Sequence, residues 1–294
     1  MKKFWKKTSL FLVTAAMTVS APLMAWALEH DIVILHTNDI HCGINDNIGF
    51  AGLAQIKKDA LARTPNVALV DAGDAIQGAP IGKLSRGLAV VDIMNYLGYD
   101  FCIPGNHEFD YGMDRFLELV PLQRAGYYCA NFVYAGNNKQ VLPGYKIMQY
   151  EDTKVAFVGA STPESLTTST PTFFQNEKGK YIYSFCEDKT GNKLYKQLQK
   201  NVDKARKDGA DYVFIVGHLG MDGTTPQWSS ESVAKNTQGV DAVIDGHSHE
   251  RFTRMVKNKV GKDVLLAQTG TKLKTVGELV ITPNGKLKSQ LITE

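Results

Sequence analysis

Cysteine is scarce. The 294 residues hold four, Cys42, Cys102, Cys129 and Cys186, with no CxxC and no zinc-ribbon spacing. That excludes a thiolate-built structural metal site and a disulfide-dense scaffold. Cys102 and Cys129 sit in apolar, strand-like runs and are expected as buried free thiols; Cys42 stands beside a candidate site residue. Repeats, low-complexity tracts and long linkers are absent too, so solenoid, fibrous and disordered classes fall away. Net basic charge is lacking once the N-terminus is set aside. The chain is formally +3, but Lys2, Lys3, Lys6 and Lys7 carry that excess, leaving about −1 without them. No cationic face for a nucleic acid duplex or an acidic lipid surface is implied.

Those four lysines open MKKFWKKTSLFLVTAAMTVSAPLMAWA, residues 1–27. A charged start, an apolar run and a small-x-small end at Ala25-Trp26-Ala27 are the parts of an export signal. The run is broken by Thr, Ser and Pro22 and is short for a membrane span. Export to the periplasm or the exterior is expected, with cleavage after Ala27 and no stable membrane anchor. Without a cysteine at the cleavage site, a lipid anchor is not suggested.

Beyond residue 27, apolar runs alternate with helical spacings. DIVILHTND, NVALVDAGD, DFCIPGNHE, YYCANFVY, KVAFVGAS, DYVFIVGHLG and GVDAVIDGHSHE read as strands. GLAQIKKDALAR, VVDIMNYLGYD, MDRFLELVPLQRAG and KLYKQLQKNVDKARKDG read as helices. The end reads as strands with an Asn284-Gly285 hairpin turn. Alternation of this kind predicts an α/β layer fold, and strands without clean polar alternation predict sheets covered on both faces. One domain, residues 28–294, is expected. The segment Thr162–Asp188 has no clear pattern and reads as an insertion or a loop near the site.

Five of the seven histidines stand at the carboxyl ends of predicted strands, where open α/β sheets build their sites. LHTNDIHCG offers Asp39 and His41, and an extended i, i+2 pair points both side chains the same way. VDAGDAIQG offers Asp74, PGNHEFDYG Asn106 and His107, VGHLG His218, and DGHSHE His247 and His249. This oxygen and nitrogen donor set suits Mn, Zn, Fe, Co or Ni, and it is too large for one tetrahedral ion. Two divalent metal ions sharing a carboxylate would use it. His30 is expected in solvent, His36 packed in the first strand, and Asp71 either as a partner behind the ligands or as a structural acid, outside the ligand set.

The ordered strings HTNDIH, GD, GNHEFDYG, GH and DGHSHE resemble the calcineurin-like dinuclear metallophosphoesterases. Within them they resemble the branch of 5′-nucleotidases, UDP-sugar hydrolases and 2′,3′-cyclic nucleotide phosphodiesterases. The likeness spans about Ile32 to Val280. It implies a four-layer α-β-β-α sandwich with mixed sheets. It implies one ion on Asp39, His41 and His249, a second on Asn106, His218 and His247, and Asp74 between them. His107 and Asp110 would form a dyad that favours the imidazolium and assists phosphoryl transfer, while Glu108 would be a carboxylate behind the ligands or in the turn, without a catalytic role of its own, and Gly105 and Gly112 would permit close backbone approach. The implied reaction is hydrolysis of a small phosphate ester, of the nucleotide class, by in-line attack of a metal-activated hydroxide. Gln77 stands where many members have a second Asp. The family's C-terminal nucleoside-binding domain is not found before Glu294, so a separate specificity subunit is one expectation and a broad phosphatase or phosphodiesterase another. A metal-binding protein without turnover is the contrasting class, and the His107–Asp110 pair argues against it.

Overall fold

A computed structural model describes residues 28–221 and 225–293; the expected export signal lies outside the described residues. Among the described residues thirteen strands run in chain order: β1 Ile32–Thr37, β2 Val67–Asp71, β3 Phe101–Cys102, β4 Val133–Tyr134, β5 Tyr145–Tyr150, β6 Thr153–Ser161, β7 Tyr183–Ser184, β8 Tyr212–His218, β9 Ala242–Ile244, β10 Arg251–Lys257, β11 Asp263–Thr269, β12 Val276–Ile281 and β13 Leu287–Ile292. The helices are α1 Gly49–Arg63, α2 Pro80–Ser85, α3 Leu88–Leu97, α4 Met113–Leu119, α5 Ser165–Thr168, α6 Asn192–Lys207 and α7 Ser230–Asn236.

Two mixed sheets result. One has the order β13-β12-β1-β2-β3, with β1, β2 and β3 parallel; the other is β10-β11-β9-β8-β6-β5, with β11, β9, β8 and β6 parallel. The two-residue period of a strand decides which face each side chain covers. In β1, Ile32 and Ile34 join Phe101, Phe157, Phe214 and Leu265 in a core shared by the two sheets. Val33 and Leu35 face the other way, into a core with Leu53 of α1 and Met94 of α3. In β8, Phe214 and Val216 face the shared core, while Val213 and Ile215 pack on Leu194 and Leu198 of α6. Helices, sheet, sheet, helices: this is the expected four-layer sandwich, and both faces of its central strands are covered.

Some elements differ from the sequence reading. Pro121 stops α4, and the expected helix through Gly126 ends in a short turn over Val120–Leu122, because proline cannot continue a helix interior. YYCANFVY is strand only at Val133–Tyr134. Its Asn131 side chain donates to the carbonyls of Ser161 and Phe185 at 2.7 and 2.9 Å, knitting an irregular segment between elements. Cys102 and Cys129 are buried free thiols as expected. His36 is fully buried with no partner on either ring nitrogen, and burial holds its pKa down to about 3. Its ring occupies the space above Gly277 of β12, where any Cβ would collide with it.

Candidate metal centre

The site lies where the carboxyl ends of both sheets meet. Asp39 and His41 follow β1, Asp74 follows β2, and Asn106 and His107 follow β3; His218 ends β8, and His247 and His249 follow β9. These are the strand ends that the sequence picked out. The local geometry is not the expected one. β1 stops at Thr37, and Asp39 and His41 both have left-handed backbone, φ 52° and 48°. Asp74, His247 and His249 share it, at 60°, 80° and 57°. Non-glycine residues rarely adopt this region, and its clustering here marks a turn network that over-determines each side chain. Asp39 and His41 therefore meet through left-handed turns, not through strand alternation, and His247 and His249 stand on turns of the same kind.

Two donor clusters form. In one, the Nε2 atoms of His41 and His249 lie 3.2 Å apart, and Asp39 Oδ1 is 3.1 Å from His249 Nε2. In the other, His218 Nε2 is 3.0 Å from Asp74 Oδ2 and 3.9 Å from Asp39 Oδ1. Asp74 Oδ2 is also 3.9 Å from His41 Nε2, so this carboxylate stands between the clusters. Asn106 is buried beside them, and its Oδ1 has no partner. Asp39 Oδ1 and His218 Nε2 are likewise buried and make no well-formed hydrogen bond among the described residues, only the close approaches to His249 and Asp74 given above. A buried polar atom without a hydrogen bond is costly, and such atoms on Asp39, Asn106 and His218, at neighbouring strand ends, are what a cation would satisfy. The residues present fit two divalent ions. The His247 ring stands 5.0 Å from that of His218, outside both clusters.

Each donor is held from behind. Asp39 Oδ2 accepts from Asn38 Nδ2 at 2.6 Å and from the His247 N–H at 3.0 Å, leaving Oδ1 for the site. Asn38 also donates to the Gly270 carbonyl and accepts from Thr269, a latch between the end of β1 and the end of β11. His218 Nδ1 donates to the Ala72 carbonyl at 2.8 Å, and His41 Nδ1 to the Gln77 carbonyl at 3.1 Å, so each offers Nε2. Burial opposes a charge on His218, but Asp74 and Asp39 outweigh it and raise its pKa to about 10. Asp71 accepts from the Thr37 hydroxyl and the Gly73 N–H, a structural role as expected.

Glu108 is the central support. It is buried, and its two oxygens accept four backbone N–H groups: Asp74 and Gly105 at 2.7 and 2.6 Å, Ala75 and Ile76 at 2.8 and 3.3 Å. One carboxylate thus clamps the Asp74 turn to the Gly105–Asn106 turn. Gly105 lies so close that a Cβ there would run into the Asp74 carboxylate. Gly112 is different from expectation: a Cβ there would meet only Phe173, at 4.0 Å, and its need is for φ 93°.

His107 Nδ1 and Asp110 Oδ2 are 2.6 Å apart. That hydrogen bond, with Asp74 nearby, lifts the His107 pKa to about 9. The Ser169 hydroxyl donates to the other oxygen of Asp110 at 3.1 Å. A cleft of about 570 Å³ opens beside the pair, lined by Gln77, Lys83, Asp110, Tyr111, Thr168 and Ser169. The segment Thr162–Asp188 does border the site, through Ser169 and through Glu164, whose Oε2 lies 3.2 Å from His247 Nε2. Glu164 and Asn38 were missed in the sequence. Asn38 sits in the HTND string and could have been flagged there; nothing around Glu164 signals its role.

A two-sheet sandwich with carboxylates, imidazoles and an amide converging at its strand ends defines a class of metal-dependent phosphoesterase folds. Residues 32–251 match the family model described as calcineurin-like phosphoesterase, and the chain belongs to that family. It is 29% identical over 259 residues to the snake venom 5′-nucleotidase of Gloydius brevicauda, which covers 82% of this chain and 40% of that one. It is 27% identical over 272 residues to the 2′,3′-cyclic-nucleotide 2′-phosphodiesterase/3′-nucleotidase of Haemophilus influenzae, covering 81% and 40%. The crystal structure of a 5′-nucleotidase precursor from Thermus thermophilus superimposes with a TM-score of 0.75 at 25% identity, covering 90% of this chain and 54% of that one. The chain spans about two fifths of the length of these curated relatives.

Proposed function

We propose that this chain hydrolyses phosphate esters, with nucleotides as the substrate class, at a centre of two divalent ions. Asp39, His41 and His249 would hold one ion, Asn106, His218 and His247 the other, with Asp74 between. The observation that carries this is that three buried donors without a hydrogen bond, Asp39 Oδ1, Asn106 Oδ1 and His218 Nε2, stand at neighbouring strand ends, next to the His107–Asp110 pair. The ions, of the Mn, Zn, Fe, Co or Ni type, supply Lewis acidity to phosphoryl oxygens and an activated water when bound.

The chain's own residues do the rest. Asp110 orients His107 and keeps it protonated at neutral pH. The imidazolium can then stabilise charge on the phosphoryl group or give a proton to the departing oxygen. The leaving group would enter the cleft between Gln77, Tyr111 and Ser169, whose polar lining suits a hydroxylated ester. Residues 28–294 would form the catalytic domain, and residues 1–27 would direct export to the periplasm or the exterior.

The relatives named 5′-nucleotidase and cyclic-nucleotide phosphodiesterase support a nucleotide substrate. One observation favours a second reading, in which another polypeptide supplies base recognition: the cleft offers one aromatic ring, Tyr111, and no second ring to sandwich a base. The test is hydrolysis by the protein reconstituted with Mn, Zn, Co or Ca. The substrates are p-nitrophenyl phosphate, its bis ester, AMP, 2′,3′-cyclic AMP and UDP-glucose. Turnover of simple esters with poor nucleotide use supports the second reading, strong AMP turnover supports the first, and no turnover with any ion overturns both.

A further inference from the structure

Glu164 has no place in the ligand set, yet its position is tightly specified. The residue is buried at the end of β6, with only 7% of its surface exposed. Its neighbour Thr162 donates its N–H to the His218 carbonyl at 2.8 Å, which ties this turn to the end of β8. The Glu164 N–H donates to the Thr162 hydroxyl at 3.2 Å, and the hydroxyls of Thr167 and Thr168 both donate to the Glu164 carbonyl at 3.0 Å. The carboxylate itself is fixed from two sides: Oε1 accepts the Thr225 N–H at 2.8 Å, and Oε2 faces His247 Nε2 at 3.2 Å. Both of its oxygens are engaged.

A carboxylate is an acceptor only, so the nitrogen facing it carries the proton. The neutral His247 ring so held carries its proton on Nε2 and keeps its lone pair on Nδ1. The His247 N–H, donated to Asp39 Oδ2 at 3.0 Å, fixes the backbone of the same residue against the site. His41 and His218 are arranged the opposite way. Their Nδ1 atoms are occupied by carbonyls and their Nε2 atoms face the centre. Two imidazoles thus offer Nε2 and the third Nδ1, and the partner on each explains which.

We propose that Glu164 is the positioning carboxylate of the centre: by holding His247 through Nε2 it presents Nδ1 to the ion shared with Asn106 and His218. This rests on the ligand reading proposed above. Such outer partners raise ligand basicity and fix ring orientation, and losing one weakens metal binding by about 10- to 100-fold. Glu164 touches no substrate in this scheme. Its effect falls on one ion of the pair, because the Asp39, His41 and His249 cluster has other supports.

The test is calorimetric titration of the metal-free protein with Zn, beside Glu164→Gln, His247→Ala and Glu164→Gln/His247→Ala. Wild type should take two ions. Glu164→Gln should keep one at wild-type affinity and bind the second about 10- to 100-fold more weakly. The double variant should be no worse than His247→Ala alone. Equal binding by Glu164→Gln and wild type, beside weakened His247→Ala, overturns the positioning role and leaves the ligand reading intact. Wild-type binding by His247→Ala overturns the ligand reading and this inference with it. A second measurement needs no variant. Long-range proton–nitrogen spectra of the metal-free wild-type protein should show His247 protonated at Nε2, and Zn should shift the Nδ1 resonance. A proton on Nδ1, or a Zn shift at Nε2, overturns the proposal.

Discussion

Replacing Glu108 by glutamine changes one oxygen to an amide and should cost more stability than any ligand substitution. The carboxylate accepts four backbone N–H groups, two on each oxygen. Glutamine can serve only two of them; its NH₂ would face the other two donors. Hydrogen bonds to a charged acceptor are each worth about 1.5–3 kcal/mol, so losing two costs roughly 3–6 kcal/mol. That is a large share of the ~5–15 kcal/mol that holds an ordinary domain together. At about 2–4 °C per kcal/mol, the melting temperature should fall by roughly 6 to 24 °C. Burial, together with the Asp74 charge, raises the Glu108 pKa to about 7. The melt should therefore be run at pH 8, where the carboxylate is charged, and in chelator, so that metal binding does not contribute. A fall of less than about 1 kcal/mol would refute the argument, because it would mean that water or a shifted backbone serves those donors equally well. The same variant should also weaken both ions, since the Asp74 turn and the Asn106 turn lose their common anchor.

His107→Ala should keep its metal content and lose about 10²- to 10⁴-fold in kcat; unchanged turnover of simple esters would remove the dyad from the mechanism. Since Asp110 raises the His107 pKa to about 9, wild-type kcat should fall as pH rises through that value, and a profile flat to pH 10 would count against a protonated imidazole. His36, neutral and buried with a pKa near 3, binds its proton on unfolding at any pH below about 6.5. Stability should therefore drop by up to about 1.4 kcal/mol per pH unit between 6.5 and 3, and His36→Leu should flatten that limb in denaturant melts. Gly105→Ala should drive a methyl group into the Asp74 carboxylate and weaken metal binding about tenfold or more, whereas Gly136→Ala, with nothing within 4 Å, should not. Calorimetric titration of the two proteins separates these outcomes.

The strand ends were legible because each donor sits beside a glycine or a turn residue after an apolar run, a pattern that few structural histidines share. The layers were legible for a similar reason, since apolar residues stand at consecutive positions in β1 and β8 and so need cover on both sides. The left-handed turns at Asp39, His41 and His249 were not, because an alternating polar pattern looks the same in an extended strand and in a strained turn. Glu108 was visible as a carboxylate without a role, but four amides from two distant loops converge on it only after folding. Glu164 gave no signal at all. Its partner lies 83 residues away, and the Thr/Ser/Pro-rich stretch around it reads as an ordinary loop.

The donors come from both sheets, and the His41 and His249 rings meet across 208 positions of sequence. A cation gripped there would close one of the longest loops in the chain without a covalent bond. Closing a loop that long removes conformational freedom from the unfolded chain, and each further doubling adds only about 0.6 kcal/mol, so nearly all of the benefit is already present. The centre would then act as a staple between the first and the last thirds of the protein. A chain with only one sheet formed would have half the donors and little affinity. Occupancy by metal would report that the two sheets had docked, making the ion a probe of assembly as well as a reagent.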